Sequence, residues 1–221
     1  TVTGASVGNG SYATLGAAFT AVGAATGTID MAIGPLGTTE TATATLNAGS
    51  WTSITVRPTV PGIIVEGSIA GAVVKLNGAD NVTFDGRISG SGRNLTIRNN
   101  STASTTAAIW LASVIAGNGC TGNTVRNCEI ACGVNQNTST NNTWGIIMSG
   151  TTISNTSNGV DNDNNTFQEN RIIKCRHGIV TRGTTTNLNE NIQVIDNIVG
   201  PTAFGVDQIG IVGIFMQADN N

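Results

Sequence analysis

Charge is what this chain lacks most. Of its 221 residues only 10% are Asp, Glu, Lys or Arg, against about 25% in an ordinary soluble domain. The net charge is −3 and no cluster of Lys or Arg occurs, so nothing is built to neutralise phosphates and nucleic acid is excluded as a partner. Aromatic residues make up 4% and there is one His. With that His and no Cys-x-x-Cys spacing, a zinc centre has no ligand set. No apolar run approaches the roughly 20 residues of a membrane helix, which argues against membrane insertion. The chain begins at Thr1 without an apolar leader core; a processed or trimmed N-terminus fits that start.

What is present is Gly (29 residues), Asn and Thr, around a 39% hydrophobic fraction. Low charge alone would suit disorder, but disorder also needs low hydrophobicity. Here Val and Ile fall in short, strand-length runs, with Gly and Asn between them. That composition points to a packed all-β protein with Gly/Asn turns. Low Lys, high Thr/Asn/Ser and several Asn-x-Ser/Thr triplets suggest an extracellular setting. The triplets begin at Asn81, Asn94, Asn100, Asn137, Asn141, Asn155 and Asn164. In a chain this rich in Asn and Thr, chance explains most of them.

Five segments repeat one phrase: Asn81-Val-Thr-Phe-Asp-Gly86, Asn94-Leu-Thr-Ile-Arg-Asn99, Asn123-Thr-Val-Arg-Asn-Cys-Glu-Ile130, Asn165-Thr-Phe-Gln-Glu-Asn-Arg-Ile172 and Asn191-Ile-Gln-Val-Ile-Asp-Asn-Ile198. A second phrase, Gly-Ile-apolar, recurs at Trp144–Gly150, His177–Gly183 and Val212–Gln217, with Ala108–Leu111 as a fourth copy. Ile146, Ile179 and Ile214 lie 33 and 35 residues apart, and the two phrases alternate. Two strand types in fixed order at such a period describe the rung of a solenoid. Val125, Phe167 and Val194 are expected to stack in one interior column, and Ile146, Ile179 and Ile214 in another. Three residues beyond the first column stand Cys128, Asn170 and Asn197; Asn there can take the left-handed backbone of a tight corner and hydrogen-bond from rung to rung.

Earlier in the chain, Ser11–Val22 has Leu15, Phe19 and Val22 at helical spacing with Ser11 as cap, which predicts a short helix closing the first rung. Residues 1–28 therefore form an N-terminal segment with a capping helix. Residues 29–221 form the rungs and are expected to continue in a longer protein. Strands are predicted around Ile29–Ile33, Thr41–Leu46, Ile54–Val56, Ile63–Val65 and Val73–Leu76. The polar stretches Val134–Thr143, Thr151–Asn164 and Gly183–Asn189 are expected as loops on one side of the coil.

The segments Tyr12–Phe19, Leu76–Gly86, Leu95-Thr-Ile97 and Asp163–Phe167 resemble right-handed parallel β-helix proteins of the pectate-lyase-like architecture. They are most similar to the Asn/Thr/Gly-rich repeats of secreted surface proteins of Gram-negative bacteria. The resemblance implies an all-β, right-handed parallel β-helix solenoid with a short N-terminal capping helix. Its motifs are architectural and transfer no active site. His177-Gly178 near Arg171 and Lys174 is faintly similar to the Gly-His-Gly and Arg-x-Lys elements of pectin-degrading β-helix hydrolases. Arg176 replaces the first Gly, the basic pair is spaced differently, and paired Asp residues are missing.

No catalytic or cofactor-binding residues emerge. Glycoside hydrolysis needs two carboxylates about 5 to 9.5 Å apart, and Asp and Glu are scattered singly. Asp161-Asn-Asp-Asn-Asn165 spaces oxygens as calcium loops do, which makes Asp161 and Asp163 the only metal candidates. Thr166 and Ile172 stand where the Gly and Glu of such a loop belong, so a polar turn is the simpler reading. Cys120, Cys128, Cys132 and Cys175 allow three full pairings. Register places Cys132 and Cys175 within about one residue of one column in successive rungs, and Cys120 and Cys128 flank one strand and turn. Trp51, Trp110 and Trp144 could stack on sugars, but the Gly-Ile phrase suggests packing for the last two. Thr41, Thr43 and Thr45 alternate without a recurring Thr-x-Thr array, which counts against ice binding.

The expectation is a non-catalytic structural or adhesive segment of a secreted or cell-surface bacterial protein, including a filament subunit. Its partners are further copies along the helix axis, flanking modules of its own chain, or surface glycans. The alternative is a polysaccharide-active lyase or glycosidase, or a carbohydrate-binding β-helix.

Overall fold

A computed structural model of the chain describes residues 1–134, 142–203, 205, 207–217 and 219–220. The protein is mostly β with one short helix. Three sheets carry the fold, of seven, six and six strands. The chain visits them in constant order, and each circuit is one rung. The rungs are Thr28–Ile33, Thr38–Glu40, Ala44–Asn47; then Ser53–Pro58, Ile63–Gly67, Ala72–Asn77; then Val82–Asp85, Leu95–Asn99, Thr105–Ala112. They continue with Thr124–Arg126, Cys128–Cys132, Asn142–Ser149; then Thr166–Gln168, Arg171–Ile173, Cys175–Arg182; and last Gln193–Ile195, Ile198–Val199, Ile209–Gln217. Each strand pairs in parallel with its counterpart one rung away, as in Val125↔Phe167↔Val194 and Ile146↔Ile179↔Ile214. Both expected columns therefore exist in register, but Val125, Phe167, Ile146 and Ile179 are buried, whereas Val194 is half-buried and Ile214 is exposed. The second sheet adds a third, Val65, Ile97, Ile130, Ile172 and Val199.

The sequence phrases predict two strand types per rung, and the structure has three. The Asn phrase contains two strands separated by a corner: Asn127 alone divides Thr124–Arg126 from Cys128–Cys132. That corner residue is left-handed in three rungs, at Asn127, Glu169 and Asp196 (φ 50°, 54° and 51°). The expectation that Cys128, Asn170 and Asn197 carry the left-handed backbone is thus off by one. Those side chains turn inward instead. Asn170 Oδ1 accepts from the Cys128 amide at 3.0 Å and Nδ2 donates to the Val125 carbonyl at 2.8 Å. Asn197 repeats the pattern on Asn170 and Phe167. At the corner before the first sheet, Asn123 and Asn165 do the same: Asn165 accepts from the Asn123 amide (2.9 Å) and donates to the Cys120 carbonyl (2.7 Å). Corners leave backbone groups without ladder partners, and these amides supply them inside the core.

The Gly-Ile phrase has a steric reason. A Cβ on Gly145 would lie 2.7 Å from both the Gly178 carbonyl oxygen and Ile172 Cγ2, and one on Gly178 would lie 2.3 Å from the Gly213 oxygen. Backbone and side chains of the neighbouring rung leave no space for a side chain at either position. The core is one continuous apolar column, with Phe19, Phe84 and Phe167 among its largest fully buried members.

The helix, Leu15–Ala21, buries Leu15, Ala18 and Phe19 in the same core as Met31 and Leu46. The Thr14 hydroxyl, not Ser11, accepts from the Ala17 amide (3.1 Å). The buried Glu40 carboxylate accepts from the Leu15 and Gly16 amides at 2.7 and 3.0 Å, tying the helix N-terminus to the first rung through its positive end. Val2–Thr3 adds an antiparallel strand to Thr28–Ile33, which nothing in its two-residue pattern announces. Among the described residues no helix is long and apolar enough to cross a membrane.

Candidate functional site

Two of the expected loops, at 151–164 and 183–189, leave the third sheet from the same corner. The Val134–Thr143 stretch joins the second sheet to the third, and its residues 135–141, with the triplets at Asn137 and Asn141, lie outside the described residues. The insertion after Ser149 folds back over the outer face of the third sheet. Beneath it lies a second apolar cluster: Trp110, Trp144, Ile147, Val180 and small neighbours, with Ile153 packed on top. Trp144 Nε1 donates to Asn155 Oδ1 (2.7 Å) and Trp110 Nε1 to Ser149 Oγ (3.0 Å). The Lys75 ammonium sits 4.3 Å from the Trp110 ring centroid, and burial lowers its pKa. Trp51 is buried at another corner, with Nε1 on the Asp80 carbonyl (2.8 Å). All three tryptophans are packing residues here, and two of them pack outside the solenoid core.

His177 stacks on Trp144, with ring centroids 5.4 Å apart and planes inclined by 16°. It is only 5% exposed, and Nδ1 has no hydrogen-bond partner among the described residues. Burial first, then the Arg176 charge, lowers its pKa to about 4, so it is neutral at pH 7. Arg171 and Lys174 do not join it. Arg171 pairs with Glu129 at 2.6 Å on the second sheet, and Lys174 occupies a left-handed corner (φ 53°). The basic–His constellation suggested by the sequence does not converge.

Several carboxylates are spent on arginines, most of them one rung on, with Arg87 in the same rung as Asp85. Asp30 holds Arg57, Glu66 holds Arg98, and Asp85 holds both Arg87 and Arg126. Arg98 and then Asn100 lower the Glu66 pKa. At Asp85 burial alone would raise it, but the bonds from Arg87 and Arg126 outweigh that and the pKa is lowered. Asp161 Oδ2 accepts from the Gly117 amide and Asp163 Oδ1 from the Glu190 amide (2.7 Å). Both accept from backbone amides of other segments, 44 and 27 residues away. Among the described residues no three His, Cys, Asp or Glu side chains are placed to share a metal ion.

All four cysteines are buried thiols. Cys120 donates to the Leu76 and Ala112 carbonyls, and Cys128 to those of Phe84 and Arg126. These two sit at opposite ends of the Thr124–Arg126 strand and do not touch. Cys132 and Cys175 are brought together at one corner of successive rungs.

Sequence reading missed one surface feature. Thr55, Thr83, Thr124 and Thr166 stack in register on the outer face of the first sheet. The column is single file, flanked by Asp85, Arg126 and Gln168, so it is no flat hydroxyl array. Its members lie 28 to 42 residues apart, too unevenly for a period to reveal them.

The last rung is unlike the others. Ile214 is 47% exposed, while its column partners Ile146 and Ile179 are fully buried, and Ile195, Ile198, Ile211, Phe215 and Met216 are also exposed. No family model matches the chain, and no curated protein and no solved structure matches it.

Proposed function

We propose that the chain is a non-catalytic, right-handed parallel β-helix segment of a secreted or cell-surface bacterial protein, working as a spacer, adhesive rod or filament unit extended along its axis. The handedness follows from the strong preference of parallel crossovers for the right hand. The observation that carries the reading is the difference between the two ends. The first rung is closed by the helix and by an antiparallel strand. The last described rung offers open strand edges above an apolar interior column. Such an edge pairs with another strand when one is available. A further rung in parallel register, from a second copy, fits it. A head-to-tail contact that does not close generates a filament.

The distribution of polar chemistry supports the same reading. Asn amides serve the corners, and four of the five Arg–carboxylate pairs among the described residues tie neighbouring rungs. Light scattering with negative-stain imaging tests it. Rods or oligomers that lengthen with concentration are expected, whereas compact monomers at every concentration would overturn it. Incubation with pectin and alginate is the companion assay, with no turnover expected. Depolymerisation abolished by His177→Ala would favour the polysaccharide-active alternative.

A further inference from the structure

Cys132 ends the second-sheet strand of the fourth rung, and Cys175 opens the third-sheet strand of the fifth. The Cys132 amide donates to the Lys174 carbonyl at 3.2 Å, so the ladder sets Cys132 beside Lys174 and Cys175. The Cys132 thiol donates to the Trp144 carbonyl at 3.1 Å, on the third-sheet strand next to the one that Cys175 opens. Both side chains point into the core and neither is more than 1% exposed. Neighbouring strands are about 4.8 Å apart with a rise near 3.3 Å per residue, so an offset of zero to one residue separates the Cα atoms by about 5 to 6 Å. That lies within the roughly 4.4–6.8 Å spanned by disulfides.

We propose that Cys132 and Cys175 form a structural disulfide that staples the fifth rung to the fourth. Between them run the polar segment at 135–141 and the insertion after Ser149, two of the longer interruptions of the repeat. A rung docked across such interruptions closes a long loop, and a covalent tie removes much of that entropic cost from the unfolded state.

The oxidant is a small-molecule disulfide such as oxidised glutathione. One cysteine thiolate attacks it, forming a mixed disulfide and releasing one glutathione thiolate. The second cysteine thiolate attacks the protein sulfur of that mixed disulfide and releases the other. Two protein thiols are oxidised, one disulfide is reduced to two thiols, and the two cysteine protons pass to the released glutathiones. In the folded protein the sulfurs are shielded, and burial followed by the neighbouring Cys132 raises the Cys175 pKa. Exchange therefore occurs while the rungs dock, and the finished bond resists reductant until the chain unfolds.

The test uses the full chain, denatured and reduced, then refolded in a glutathione redox buffer. Free thiols are alkylated under denaturing conditions and peptides are mapped by mass. The expected result is a Cys132–Cys175 linked peptide with Cys120 and Cys128 alkylated. The melting temperature should be about 10 °C above that of the reduced protein. Four alkylated cysteines in a cooperatively folded product, or a linked peptide joining any other pair, overturns the proposal. The Cys120→Ala/Cys128→Ala double variant must still form the bridge. If Cys132→Ala/Cys175→Ala does not fold, that first double variant still decides the matter.

Discussion

At the residue scale the buried amides carry the most specific stabilisation. Asn170 satisfies the Cys128 amide, the Val125 carbonyl and Asn197 Oδ1 at once. Asn170→Ala strands two buried backbone groups at about 1–3 kcal/mol each. Urea denaturation should show a loss of about 2–5 kcal/mol, against less than about 0.5 kcal/mol for Asn77→Ala, whose side chain meets Asn47 at the surface. An equal loss for both would mean that the ladder is ornamental. His177 makes the second prediction. Its folded pKa, near 4, lies below the ordinary 6.5. The neutral form is the one the fold accepts, so the stability linked to it is complete above about pH 6.5 and is lost as pH falls from there through 4. The stability difference between wild type and His177→Gln should shift across that window and be flat above it. The interior Asn were legible because they recur in a phrase. The left-handed residues beside them were not, because Asn127, Glu169 and Asp196 share a backbone conformation and no side-chain chemistry.

Among the elements, the N-terminal helix was legible from Leu15, Phe19 and Val22, all at most 3% exposed. Its cap was not, because Ser11 and Thr14 are equally good cap residues and only the fold chooses. Ser11 instead meets the Thr1 hydroxyl. Glu40 is invisible as a helix partner in the sequence, since 25 residues separate it from Leu15. Glu40→Ala leaves the Leu15 and Gly16 amides buried without partners and removes a carboxylate from the positive end of the helix. A loss of about 2–4 kcal/mol in chemical denaturation is expected. Amide exchange should speed up first in the helix and in the Ala44–Asn47 strand it packs on. Unchanged exchange there would show that the helix caps nothing. The second-sheet strands are short, and some hold only two or three residues. A strand that short has too few positions for alternation to show, which explains why three strands per rung were read as two.

For the whole molecule, each rung contacts only its neighbours, so stability accumulates from rung to rung and an end rung has half the partners of an inner one. The exposures follow: Ile146 and Ile179 are fully buried, and Ile214 in the same column is 47% exposed. If a further rung normally covers that face, Ile214 and its neighbours become interior on assembly. Ile214→Lys then places an ammonium where the incoming rung must bury its own apolar column, a position that costs several kcal/mol for an unpaired charge. Within one isolated chain the same substitution touches a half-exposed site and costs little. The two effects separate cleanly. Sedimentation analysis should show association abolished by Ile214→Lys, while the melting temperature of the dilute protein changes by no more than about 2 °C. A control on the capped side, Thr20→Lys on the exposed face of the helix, should leave association intact if the contact joins open edges, and should weaken it if the helix face is the other half of a head-to-tail joint. Association unaffected by Ile214→Lys would mean that the open rung is not the joint, and the axial extension proposed for this protein would fall with it.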